Sequence, residues 1–175
     1  MERVGSIMGS KLVSSIIPVL FGVLGVLVAN LPISFLGGWV PPPLLSLMPV
    51  YFWCLVRPDL MSPGWAFAIG VLEDIMSGGP PGIWAASFVA TYAVIDRQRD
   101  AFAGLSGWAA VLGFATAALI ACSTDYTIVG VYFGRLVPLA PYVKEFFVTV
   151  LFYVPMAFLL GFVHRRLVGP LRSDI

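Results

Sequence analysis

Long apolar stretches, broken at intervals by glycine, proline and a few charges, constrain this chain more than any other feature. A helix that crosses a bilayer needs about 20 predominantly apolar residues, within a range of about 17 to 25. Leu12 to Phe35 meets that requirement, with Pro18 and Pro32 as kink or end signals. A Gly37-Gly38-Trp39 turn leads to Pro41-Pro42-Pro43, which opens a second segment over Leu44 to Val56, closed by Arg57-Pro58-Asp59. Pro63 begins a third segment that runs to Gly78, and a fourth covers Ile83 to Ile95. A fifth runs from Leu105 to Ser123 and a sixth from Tyr142 to Val163. Segments two to four are short and need tilt, mutual packing or partly re-entrant ends to sit in a bilayer. The pattern predicts an all-α chain, a single domain over residues 1–175, built as a polytopic membrane bundle of about six spans.

The chain is 59% hydrophobic and only 11% charged. Soluble domains carry about 25% charged residues, and so small a core cannot hide this much apolar surface. A net charge of +1 with no basic patch argues against nucleic acid as a partner. The first apolar run is expected to be a retained anchor. Leu12 to Leu31 exceeds the usual signal core of about 7 to 15 residues, and Val28-Ala29-Asn30 is a poor cleavage site.

Basic residues in short loops set orientation. With both termini inside, Arg3, Lys11, Arg57, Arg97, Arg99, Arg165, Arg166 and Arg172 fall on the cytoplasmic side, leaving Arg135 and Lys144 outside. That topology places Cys54 and Cys122 near opposite faces, too far apart to bridge, so both are expected to be free, buried thiols. The piece from Asp125 to Pro141 is too apolar for a solvated loop and, with Arg135, too short for another span. It is expected to lie on the outer surface as an interfacial element.

Catalytic signals are lacking. His164 is the single histidine, placed at a cytoplasmic helix end beside Arg165 and Arg166, and the sequence has no metal-ligand spacing, phosphate loop or nucleophile elbow. The chain reads as a non-enzyme without a cofactor. What stands out is Glu73-Asp74, an acid pair inside an apolar segment that ends in Ser77-Gly78-Gly79-Pro80-Pro81-Gly82. A charge near the bilayer centre costs about 2.5 to 3.5 kcal/mol on insertion scales, so a retained one has a partner or a task. Neighbours on a helix point about 100° apart, which excludes a face-to-face dyad.

Gly70, Asp74 and Gly78 share one stripe, where small residues let a neighbouring helix approach. Asp74 is therefore expected to face inward and Glu73 to be less constrained. Hydration of both at the outer interface is the competing reading. Arg57 and Asp59 read as a topology anchor, and Asp96 to Asp100 as a solvated loop or a docking surface. Ala109, Gly113 and Ala117 in span five, and Gly130 with Gly134 in the outer element, are candidate close-packing seams or partner contacts.

From Pro49-Val50-Tyr51, through Pro58, to the run Gly70 to Gly82, the chain resembles the MreD family of rod-shape-determining membrane proteins. Gly70, Asp74, Gly78, Pro80 and Gly82 match the family's Gly-Leu-Leu-x-Asp helix and Gly-x-Pro-x-Gly turn, whereas Pro81 stands where leucine is usual. The resemblance implies a multi-pass protein of the bacterial inner membrane with cytoplasmic termini, acting as a scaffold in cell elongation and in regulating peptidoglycan synthesis. It implies MreC as partner, and through it RodA, its penicillin-binding transpeptidase and MreB, with membrane lipid around the bundle. It also implies a fold like the substrate-binding component of energy-coupling-factor vitamin transporters. The competing function follows from that: an outward pocket lined by Glu73 and Asp74, with Trp65, Trp84 and Tyr126 stacking on a small molecule.

Overall fold

The structure is a computed structural model that describes residues 2–32, 41–102 and 107–168, with side chains from residue 16 onward in the first helix. Seven α-helices make up the described residues, and no strand occurs among them. They are α1 (Glu2–Ala29), α2 (Leu47–Val56), α3 (Pro63–Ser77), α4 (Ile83–Arg97), the short α5 (Arg99–Phe102), α6 (Trp108–Phe133) and α7 (Ala140–Val163). A π-helical turn, His164–Val168, continues α7. The expected turn at Gly37-Gly38-Trp39 and the end of the first span at Phe35 lie outside the described residues.

Local chemistry explains most boundaries. Ser62 accepts a hydrogen bond from the Trp65 amide and Pro63 occupies the first turn of α3, a strong start signal. Gly78 ends α3 in the left-handed region at φ 67°, where a glycine escapes the Cβ penalty. Pro41-Pro42-Pro43 does not open α2 as expected. The chain passes through turns instead, with the Leu45 amide donating to the Pro43 carbonyl and the Leu47 amide to that of Leu44, and the helix starts only at Leu47.

Among the described residues, two elements are long and apolar enough to cross a membrane: α6, and α7 with its π-helical turn. At 10 residues, α2 reaches only about 15 Å, and α3 and α4, at 15 each, little over 20 Å. The outer faces of the long pair are apolar, with Trp108, Leu112, Leu119, Phe147, Leu151 and Phe158 all exposed.

The interfacial element expected over residues 125–141 is corrected. Helix α6 continues without a break to Phe133, ten residues past the expected end at Ser123. No proline intervenes before Gly134, the single Gly130 is accommodated within the helix, and the Thr124 and Thr127 hydroxyls donate back to the carbonyls of Ile120 and Ser123, which keeps both side chains satisfied within the helix.

The core lies between the short helices and the inner faces of the long ones. Trp53, Phe88 and Phe114 are fully buried. Phe114 of α6 stacks on Tyr153 of α7 with centroids 3.9 Å apart, and the Tyr51 ring of α2 meets both edge-on. The two cysteines are buried and unbridged. On the side of the bundle where α2 ends, the Tyr92 hydroxyl donates to the Met61 carbonyl at 2.9 Å. Arg99 pairs with Asp96 there, so the expected loop of residues 96–100 is largely helical.

Candidate functional site

Helix α4 begins without a side-chain cap of its own. Its N-cap is Gly82 at φ 95°, a backbone conformation that no ordinary capping residue adopts easily. Asp74 supplies the missing acceptor from α3. Its Oδ2 accepts from the amides of Gly82 at 2.9 Å and Ala85 at 3.2 Å, and its Oδ1 from that of Trp84 at 2.8 Å. These are amides of the first turn that have no partner within the helix, and a carboxylate there also complements the positive end of the helix dipole. One turn back, Gly70 lets the backbones meet, since a Cβ there would stand 2.5 Å from Ala85 Cα. Gly70 and Asp74 thus zip α3 to α4, while Gly78, Pro80 and Gly82 form the turn between them.

Glu73 is as constrained as its neighbour, contrary to expectation. The pair is 6% and 5% exposed, so neither acid is a hydrated interfacial group. Glu73 Oε1 accepts from the Asn30 side-chain amide at 2.7 Å and Oε2 from the Ser46 hydroxyl at 2.8 Å. It therefore ties α3 to the end of α1 and to the segment that leads into α2. Close approach is required here too, because a Cβ on Gly25 would lie 2.7 Å from the Ser46 backbone. The Leu44 amide donates to Thr149 at 3.0 Å and joins α7 to the same cluster. Partners 43 and 27 residues away leave no local trace in the sequence around Glu73.

Two further acids belong to this end of the bundle, and sequence reasoning overlooked both. Asp125 of α6 is 6% exposed and senses the charge of Asp74. Glu145 of α7 is half-buried and senses Asp125 and Glu73. Their signal was available, since each is an acid in an apolar helix, the criterion that selected Glu73 and Asp74. The four do not converge on one point: among the described residues no three His, Cys, Asp or Glu side chains are placed to hold a metal ion.

The remaining candidates lie apart from the acids. Arg57 pairs with Asp59 at 2.7 Å at the far end of α2, and its hydrogen bond holds the Asp59 carboxyl below the ordinary carboxylate value. His164 packs edge-on against Phe52, with its Nδ1 buried. Gly134 is a helix terminus at φ 60° with open space around it, and a Cβ on Gly130 would meet only the Arg135 carbonyl at 3.8 Å, so the pair forms no internal packing seam. Gly113 and Ala117 are buried in α6, which packs against α4. Nor do the aromatic residues gather around the acid pair. Trp65 is exposed at the opposite end of α3, Trp84 packs on Phe88, and Tyr126 meets Tyr142 edge-on at 5.2 Å.

Protein-family models, curated proteins and solved structures were compared with the chain, and none matches it.

Proposed function

We propose that this chain is a multi-pass scaffold of the bacterial inner membrane, with about six spans and cytoplasmic termini, that serves the cell-elongation machinery as its likeness to MreD implies. In this reading MreC is the direct partner, and RodA, its transpeptidase and MreB are reached through it. The protein performs no chemistry of its own. It presents a helical surface of fixed shape, and so helps organise peptidoglycan synthesis.

The observation that carries the reading is the use made of the 70–82 segment. The residues that the MreD resemblance singles out there, together with the neighbouring Glu73, serve to hold helices together. Asp74 caps α4, Gly70 admits its backbone, and Gly78 and Gly82 turn the chain. Glu73 binds α1 and the approach to α2. The competing transporter reading needs those carboxylates to face a ligand, whereas both are occupied by donors from the protein itself.

The test is a mild-detergent pull-down of tagged protein from its native membrane, with partners identified by mass spectrometry. Recovery of MreC, reduced by Asp74→Ala, is the expected result. Recovery of paired cytoplasmic ATPases with a coupling subunit would replace the scaffold with the transporter.

A further inference from the structure

An open apolar groove runs between the start of α6 and the second half of α7. One part, of about 380 Å³, is lined by Trp108 and Val111 on one side and by Val154, Ala157 and Phe158 on the other. Trp108, Val111 and Val154 also line a second part, of about 630 Å³, that continues along α7 past Leu151 to Phe147. No charged side chain lines either part.

Below the groove, α7 carries its apolar surface onward and then turns basic. Phe158, Phe162 and Arg166 recur every fourth residue and so form one stripe, and both phenylalanines are exposed. Helical side chains lean toward the N-terminus of their helix. Accordingly the Arg166 guanidinium lies 5.5 Å from the centre of the Phe162 ring. Arg165 Nη1 comes within 3.9 Å of the place that a Cβ on Gly161 would take. Both guanidinium groups therefore stand back along the apolar surface instead of reaching away from it. Both residues are exposed, and among the described residues neither has an acid partner. Arg57, which acts electrostatically on His164 together with Arg165, is by contrast paired with Asp59.

We propose that this corner binds an anionic phospholipid, with one acyl chain in the α6–α7 groove and the phosphate at Arg165 and Arg166. Arginine offers a planar fork of donors that matches phosphate geometry, and these two forks have no competing carboxylate. A zwitterionic headgroup would bring its own cation toward two guanidinium groups, which repel it. The groove makes the source a lipid, since a free phosphate would leave that apolar surface uncovered. The inference rests on the membrane part of the reading above and is independent of its cell-shape part.

The experiment exposes the purified full chain to equimolar phosphatidylglycerol and phosphatidylcholine of matched acyl chains, and counts retained lipid by native mass spectrometry. Several-fold preference for phosphatidylglycerol is expected, falling to parity when Arg165→Gln and Arg166→Gln are combined. Arg97→Gln combined with Arg135→Gln removes the same charge elsewhere and should keep the preference. Equal loss in the two double variants would overturn the inference, because net charge would then be the cause. Retention in proportion to the mixture would overturn it too, as would equally strong binding of glycerol phosphate, which has no acyl chain. A membrane pellet washed in alkaline carbonate separates the two readings: release of the chain removes both, whereas a chain that stays but shows no preference removes only this one.

Discussion

At the residue scale, two adjacent acids divide the work of assembly. Asp74 serves three amides, so its loss leaves buried donors without an acceptor. Removing a helix cap costs about 0.5 to 2 kcal/mol, and each unsatisfied buried group about 1 to 3 kcal/mol. Asp74→Ala is expected to lower the unfolding temperature in detergent well below that of Asp74→Asn, which keeps one acceptor oxygen. Equal melting of the two variants would show that charge, not hydrogen bonding, is what α4 requires. The Arg57–Asp59 pair gives a pH prediction of definite sign. Because the native Asp59 pKa is depressed, its contribution is complete above the unfolded value of about 3.9 and fades only as pH falls through the lower native one. Asp59→Asn should therefore lower stability slightly at neutral pH, where the pair contributes, and converge with the unsubstituted protein at acid pH, which flattens the acid limb of the stability profile. The importance of Glu73 and Asp74 was legible as charge in an apolar run. The partners of Glu73 were not, because they are brought to it by tertiary packing from 43 and 27 positions away.

At the element scale, close helix contact depends on particular glycines. An added Cβ meets backbone at Gly70 and Gly25 but only the flexible end of Ile69 at Gly22. Gly70→Ala and Gly25→Ala are each expected to cost about 1 to 3 kcal/mol, as overpacking does, whereas Gly22→Ala should be milder. Denaturant titration of the three variants ranks them, and a Gly22→Ala as damaging as Gly70→Ala would refute the contact geometry. Helix starts and stops around the α3–α4 hairpin were readable because Ser62-Pro63, Gly78 and Gly82 act locally. The reach of α6 was not. Tyr126-Thr127-Ile128-Val129 is β-branched and aromatic, and its intrinsic preference gives way to an unbroken helix that packs against α7.

At the scale of the whole molecule, the fold is a bundle whose short helices are wrapped by longer ones with apolar outer faces. The alternation of helix ends gives the topology a direct test. Cysteines introduced one at a time at Gln98 and at Val137, with Cys54 and Cys122 replaced, should label from the cytoplasm and from the outside respectively. Labelling of both from one side would dismiss the six-span arrangement. The all-helical class was legible from composition and run length, whereas the packing of α2, α3 and α4 was not, because none of them alone spans about 30 Å of hydrocarbon. The two acids also differ in when their partners exist. Asn30 and Ser46 precede Glu73 in the chain, so both have been translated by the time α3 emerges. The donors to Asp74 come 8 to 11 residues after it, and ribosomes add about 5 to 20 residues per second. For roughly a second of each protein's synthesis, at those rates, Asp74 is a carboxylate with nothing to cap.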